Sequence, residues 1–191
     1  MQKTVLVTGV ARGIGRAVVE KFLQEGYALY GTYCTSKEKA YELRTQYGDE
    51  RVKLFGAYDC SNLEDVHKLL SELQKYTFDS VIFNAGMFSE NDDFNNFDLM
   101  EFEKTMNCNF YTPLILATGL KDNIKGGGSI VIISSNDAYS GAYSSMSYSI
   151  SKSALLSLMK CLSVNYGMKN IRVNSVSPGA INTDMNTIEQ I

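Results

Sequence analysis

The stretch that decides the fold is "TGVARGIG", Thr8 to Gly15. It follows a short apolar run, Thr4-Val5-Leu6-Val7, and a helix-period segment opens inside it. That segment runs from Ile14 to Gln24 and presents Ala17, Val18 and Phe22 as its inner face. Glycines at 9, 13 and 15 suit a turn that must be tight, admit a pyrophosphate against the backbone, and let the helix lie close to the sheet. The N-terminus of such a helix offers unpaired N–H groups and a partial positive charge to phosphate. The turn lacks a GK[ST] ending, which disfavours hydrolysis of a nucleoside triphosphate. A plain glycine-containing strand–helix turn is the alternative reading of these eight residues.

Outward from this turn, short β-branched runs alternate with helix-period segments. Strands are predicted at Ala28 to Tyr33, Val52 to Ala57, Ser80 to Phe83, Ile130 to Ile133 and Ile171 to Val176. Helices are predicted at Lys37 to Tyr47, Leu63 to Tyr76, Leu99 to Leu120 and Ser147 to Tyr166, with Gly126-Gly127-Gly128 breaking the chain before the fifth strand. The strands are continuously apolar, so both sheet faces are expected to be covered. Strand–helix repetition of this kind implies an α/β fold: a doubly wound, Rossmann-like parallel sheet in three layers, as a single domain over residues 1–191. The fold alone implies no function.

The bulk numbers exclude several classes. Apolar residues make up 45% and charged ones 20%, with a net charge of -3 that gives no reason to expect nucleic acid or an anionic membrane as partner. Cys34, Cys60, Cys108 and Cys161 lie far apart, there is no CxxC pair, and His67 is the only histidine. A common zinc framework is excluded on that pattern, and no metal is expected. No apolar run reaches the roughly 20 residues of a membrane helix, and the start lacks a signal-peptide layout, so the expectation is a cytoplasmic protein.

A second stretch, "SSNDAYSGAYSSMSYSISK" from Ser134 to Lys152, carries eight serines and three tyrosines. Two Tyr-x-x-x-Lys spacings occur in the chain, Tyr33–Lys37 and Tyr148–Lys152, where about one is expected by chance. The first straddles a strand end and a turn. The second falls in a predicted helix, where positions i and i+4 share a face, so Tyr148 and Lys152 are the pair to choose.

In this setting the chain resembles the short-chain dehydrogenase/reductase family. "FNAG", Phe83 to Gly86, is similar to the NAG motif that supports the sheet beside the cofactor. Asp59 matches the residue that touches the adenine ring, and "SPGAINT", Ser177 to Thr183, is similar to the PGxxxT segment beside the nicotinamide. The resemblance covers essentially all of the chain. It implies a cofactor site of Gly9, Arg12, Gly13, Ile14, Gly15, Tyr33, Ser36, Asp59, Cys60, Asn84, Ala85, Gly86, Tyr148, Lys152, Pro178, Gly179, Ile181 and Thr183.

The same resemblance implies the catalytic set. A phenol of ordinary pKa about 10 is a poor base near neutrality, and Lys152 with the oxidised nicotinamide is expected to bring Tyr148 towards working pH. Tyr148 then gives a proton to a carbonyl oxygen or takes one from an alcohol. The family's substrate-orienting serine stands thirteen residues before the tyrosine, which selects Ser135 and leaves Ser134 as structural or a cofactor contact. Serines 140, 144, 145, 147, 149 and 151 are read as loop and helix-start residues. A relay asparagine is implied seven residues after an apolar helix opener, and Phe102 selects Asn109 over Asn107. A buried Asn satisfied by backbone is the alternative for Asn109.

No carboxylate follows the second strand before Glu38, whereas Arg12 and the Thr35-Ser36-Lys37 cluster could meet a 2′-phosphate. NADP(H) is therefore preferred, with NAD(H) possible. The expected activity is an oxidoreductase interconverting a small-molecule carbonyl and secondary alcohol; the rival is a non-catalytic NAD(P)-binding sensor. Met87, Phe88, Tyr139, Tyr143 and Met146 are candidate pocket residues, or simply core. A homodimer or homotetramer is implied, built on the helices at 99–120 and 147–166. The sequence ends soon after the PGxxxT segment, so the expectation is a domain lacking the usual substrate-covering segment and last strand.

Overall fold

Val5 and Val7 face one side of a sheet and Leu6 the other, and all three are fully buried. That is what an apolar strand covered on both faces requires. The computed structural model describes residues 2–89, 92–142 and 145–183. Six strands form one parallel sheet: β1 (Thr4–Val7), β2 (Ala28–Thr32), β3 (Val52–Phe55), β4 (Phe78–Phe83), β5 (Ile124–Ile133) and β6 (Arg172–Val176). Their order is β3-β2-β1-β4-β5-β6. The sheet winds outward in both directions from β1 and β4, so the doubly wound expectation holds.

Helices α1 (Gly13–Gln24) and α2 (Lys37–Tyr47) cover one face, where Val19, Leu23, Ala40 and Leu43 pack on Val5, Val7 and Leu29. On the other face α3 (Leu63–Leu73), α5 (Thr112–Gly119) and α7 (Met146–Gly167) bury Val66, Leu69, Leu116, Leu155 and Leu158 against Leu6, Val81 and Ile130. Within α1 the buried stripe is Gly15, Val19 and Leu23, whereas Ala17 is exposed. Val18 and Phe22 pack half-buried beside this stripe, so of the expected inner face only Ala17 is turned out.

Two other expectations are corrected. The long helix at 99–120 is three pieces: α4 (Leu99–Met106), a π-helical turn (Asn107–Tyr111) and α5. Thr112 donates its N–H to the Asn107 carbonyl, five residues back, and Pro113 has no N–H with which to restore the α-helical bond. The glycine triplet also lies inside β5 instead of breaking the chain before it. Ile124 pairs with Phe78 and Ser129 with Ser80, so the glycines are accommodated as a bulge. Gly127 takes φ +83° there, and a Cβ on Gly128 would meet the Asp79 carbonyl at 2.7 Å. A short helix, α6 (Asp137–Ser140), interrupts the serine-rich stretch that read as loop.

Candidate active site

Parallel winding leaves a crevice at the carboxyl ends of the strands, where the order reverses between β1 and β4. A cleft of about 750 Å³ opens there. All eighteen positions read as cofactor-binding, and Ser135, lie on it. Asn109 stands behind this wall.

The glycine turn forms one end of the cleft. Gly9 and Gly13 adopt φ of +74° and +56°, a region that other residues enter at a cost. A Cβ on Gly15 would lie 2.0 Å from the Gly9 carbonyl oxygen, so only glycine lets α1 begin this close to the sheet. Asn84 braces the turn, donating its side-chain amide to the carbonyls of Thr8 at 3.0 Å and Gly9 at 3.1 Å. Thr8, which sequence reasoning passed over, accepts the N–H groups of Asn84 and Ala85 on its hydroxyl at 2.9 and 3.0 Å. Its signal was its place, directly between strand and first glycine. The first turn of α1 has no side-chain cap and no acidic residue, so the N–H groups facing the cleft suit an anion such as a dinucleotide's diphosphate.

Beyond β2 the cleft is lined by Arg12, Tyr33, Thr35 and Ser36, with no carboxylate among residues 32–36. The Tyr33 ring lies against Gly56, where a Cβ would come within 2.1 Å of it, and burial pushes the phenol's pKa up. Lys37 is not brought in: its ammonium stands 5.5 Å over the Tyr41 ring and it does not line the cleft. Asp59 faces the cleft with one carboxylate oxygen accepting both the N–H and the hydroxyl of Ser61 at 2.8 Å.

At the other end α7 places Tyr148 and Lys152 on one face, the ammonium 5.4 Å from the phenol ring centroid. Lys152 is 4% exposed and donates to the Ile133 carbonyl at 2.9 Å. Ser134 donates its hydroxyl to the Lys152 carbonyl at 2.8 Å, so it joins the strand end to the helix. The Ser135 hydroxyl donates to Asp137 at 3.2 Å and accepts the Asp137 N–H at 3.1 Å. Asp137 was absent from the sequence reading; as one more acid in a polar stretch it carried no signal.

Within the protein itself, burial dominates the electrostatics of this pair. Burial raises the Tyr148 pKa above the ordinary phenol value; a hydrogen bond with Ser135 pulls it down, and the Asp137 charge adds to the rise. Lys152 does not lower it. Instead burial brings Lys152 itself down to about 8, slightly offset by Cys108. Desolvation is thus the largest influence on both groups, raising the phenol and lowering the ammonium.

Asn109 is fully buried in the π-helical turn. Its carbonyl oxygen accepts the Met87 N–H at 2.8 Å, and its amide donates to the Met87 carbonyl at 2.9 Å and to Ser151 at 3.0 Å. Backbone satisfaction, the alternative reading, is therefore present. Yet a Cβ on Gly86 would be 3.3 Å from both Asn109 Oδ1 and Lys152 Nζ, so this glycine leaves open the space between them. Asn107 points elsewhere, donating to the Ser61 carbonyl at 3.1 Å. The count from Phe102 does not carry the choice, because α4 opens at Leu99 under an Asp98 cap.

Ser151 is corrected too. It is fully buried, donates to the Tyr148 carbonyl at 2.7 Å and accepts from Asn109, which links the two. Ser145 and Ser147 are buried as well, where Asp92 accepts the Ser147 N–H at 2.6 Å at the start of α7. Of the candidate pocket residues, Met87 and Phe88 line the cleft, and the Phe88 ring meets Tyr148 edge-on at 5.3 Å. Tyr139 is 70% exposed and Met146 half-buried, neither on the cleft; Tyr143 lies outside the described residues.

Among the described residues no group of three His, Cys, Asp or Glu could hold a metal ion, and no helix is long and apolar enough to cross a membrane. The family model for the short chain dehydrogenase matches residues 3–190. A 3alpha-hydroxysteroid dehydrogenase of Mediterraneibacter gnavus is 35% identical over 193 residues, covering 96% of this chain and 75% of the relative. The 3-oxoacyl-[acyl-carrier-protein] reductase FabG of Aquifex aeolicus is 32% identical over 194 residues, covering 97% of this chain and 77% of its own length. A short chain dehydrogenase of Burkholderia cenocepacia, solved in complex with NADP, superposes with a TM-score of 0.89 at 27% identity, over 97% of this chain and 77% of that one.

Proposed function

The chain belongs to the short-chain dehydrogenase family, whose members are oxidoreductases acting on CH–OH and C=O groups, and from that premise we propose NADP(H)-dependent interconversion of a carbonyl and a secondary alcohol with Tyr148 handling the proton. The observation that carries this reading is the meeting of Ser135, Tyr148 and Lys152 at one end of a cleft whose other end is the glycine turn.

The turn from Gly9 to Gly15 and the start of α1 would hold a diphosphate. Arg12 and Ser36 would face a 2′-phosphate, Asp59 and Cys60 the adenine side, and Pro178, Gly179, Ile181 and Thr183 the nicotinamide side. Once bound, the cofactor gives or takes the hydride. The chain's own residues position and protonate. A substrate oxygen between Ser135 and Tyr148 requires the Ser135 hydroxyl to turn its proton from Asp137 to that oxygen. Tyr148 then donates its phenol proton to the carbonyl oxygen, or in reverse accepts one from the alcohol. Lys152, charged below about pH 8, stabilises the phenolate left behind. Asn109 fixes Met87 at the cleft wall and, through Ser151, the Tyr148 backbone.

Self-association is part of the reading. Tyr111 on the π-helical turn and Ile150 and Val164 on α7 are apolar and exposed, as a homodimer or homotetramer using these helices would need. Free cysteines suit a reducing cytoplasm.

The test is NADPH consumption against a panel comprising a steroid ketone, a 3-oxoacyl thioester, a keto sugar and a small ketone. Turnover of at least one is the expected result. Tight NADPH binding with no turnover on any would favour a sensor instead.

A further inference from the structure

Cys60 and Cys108 are 48 residues apart in sequence yet share one wall of the cleft. Cys60 lies in the loop between β3 and α3, and Cys108 in the π-helical turn. The two thiols lie close enough to act on each other's titration. The loop is fastened to the helix on both sides of this contact: Thr112 donates its hydroxyl to the Cys60 carbonyl at 2.9 Å, and Asn107 its amide to the Ser61 carbonyl at 3.1 Å. Cys108 is 7% exposed, while Cys60 is half-buried, so a small reagent in the cleft meets Cys60 first. Nothing in the proton-transfer chemistry proposed above uses either thiol.

We propose that Cys60 and Cys108 are a modification site for hydroperoxides, a dithiol that closes to an intramolecular disulfide when nucleotide does not cover the cleft.

The two sulfurs are unequal. Contact with Cys108 lowers the Cys60 pKa, against the cost of burial and the charge of Asp59. The same contact, with burial, pushes Cys108 well above the ordinary thiol value. The thiolate is the nucleophile, so Cys60 reacts and Cys108 resolves. The Cys60 thiolate attacks the terminal oxygen of a hydroperoxide; the O–O bond breaks, an alcohol leaves, and Cys60 becomes a sulfenic acid. Cys108 sulfur then attacks Cys60 sulfur, the S–O bond breaks, and hydroxide leaves as water with the Cys108 proton. In sum two thiols and one hydroperoxide give a disulfide, an alcohol and a water. The bridge would tie the loop carrying Asp59 to the turn carrying Asn109 and alter both ends of the cofactor wall.

The shielding half of this proposal rests on the cofactor reading; the disulfide half does not. Nucleotide-free protein is treated with hydrogen peroxide, digested without reduction, and searched by mass spectrometry for a Cys60–Cys108 linked peptide. A parallel sample carries saturating NADPH, with binding followed by nicotinamide fluorescence. The expected result is the linked peptide in the free protein, about tenfold slower linkage with NADPH bound, and weaker NADPH binding after oxidation. Cys108→Ser is expected to leave Cys60 as a dimedone-reactive sulfenic acid, and Cys60→Ser to leave Cys108 reduced. Oxidation confined to Cys34 and Cys161 would overturn the proposal, as would equally fast linkage with NADPH demonstrably bound. If NADPH does not bind at all, the cofactor reading fails while the linked peptide still decides the dithiol.

Discussion

Lys152 donates its ammonium to the carbonyl of Ile133 at 2.9 Å, so it is held by the last residue of β5 and not by Tyr148. Ser134 returns the bond, donating to the Lys152 carbonyl at 2.8 Å. These two bonds clasp the end of β5 to the second turn of α7. They set Ser135, two residues beyond the strand end, near Tyr148 on the helix. The lysine thus has a positioning role through the backbone besides its charge.

The clasp has a stability cost that pH should reveal. Burial depresses Lys152 from 10.5 to about 8 in the folded chain. Below about 8 both folded and unfolded states carry the proton, and the folded state bears the full penalty of a buried charge, roughly 3 kcal/mol. Between about 8 and 10.5 the unfolded chain binds more protons, so this residue's contribution to stability rises with pH. Lys152→Met is expected to be more stable than the native protein at neutral pH by about 2 kcal/mol, the burial penalty less the lost bond to Ile133. That advantage should shrink towards zero as pH approaches 10.5. Urea unfolding of both proteins across this range checks it; a native protein more stable than the variant at neutral pH would mean the ammonium bears no such penalty.

Tyr148→Phe removes one hydroxyl and keeps the ring that meets Phe88 at 5.3 Å. Turnover is expected to fall by about 10²- to 10⁴-fold, the range for losing a positioned general acid. Because the ring's packing stays, NADPH affinity should change less than about twofold. Steady-state kinetics with fluorescence titration separate the two, and turnover within a few-fold of native would take the proton role from Tyr148.

Asp137 acts on the same phenol through its charge. Its charge raises the Tyr148 pKa, and its carboxylate holds the Ser135 proton at 3.2 Å. Asp137→Asn removes the charge and keeps the shape, so the tyrosine should ionise at lower pH. For alcohol oxidation, where phenolate is the working form, the limb of the kcat/KM profile assigned to Tyr148 is expected to move to lower pH. A limb at the native position would show that Asp137 is too well screened to matter.

How much of this was legible in the sequence depends on whether a residue's partners are local. The glycine turn could be read because Gly9, Gly13 and Gly15 meet a backbone requirement within eight residues. Tyr148 and Lys152 could be paired because one helical step joins them. The break in the long helix was harder: only Pro113 hinted at it, and a π-helical turn leaves no composition. Ser151 and Asp137 were missed for another reason. Their roles come from Asn109, 42 residues away, and from the packing of α6 beside α7, neither of which any spacing encodes. A spacing reveals a neighbouring charge such as Lys152, but not the burial that raises the Tyr148 pKa within the protein itself.

The proposed preference for NADP(H) turns on Arg12. It caps α1 without a side-chain cap bond of its own, lines the cleft, and is exposed at the end where Thr35 and Ser36 follow β2. A 2′-phosphate there would meet a guanidinium and two hydroxyls, whereas ribose hydroxyls alone would find among residues 32–36 no acidic partner of the kind that favours NAD. Native protein is therefore expected to use NADPH with a kcat/KM at least about tenfold above that for NADH, the worth of one charge-assisted hydrogen bond. Arg12→Ala should raise KM for NADPH by a similar factor and leave NADH nearly unchanged, bringing the two cofactors together. Lys37→Ala, with its ammonium over the Tyr41 ring and off the cleft, should shift neither. Equal or better use of NADH by native protein would overturn the assignment. A matching loss with both cofactors in Arg12→Ala would instead put this guanidinium on the diphosphate, next to the N–H groups of α1.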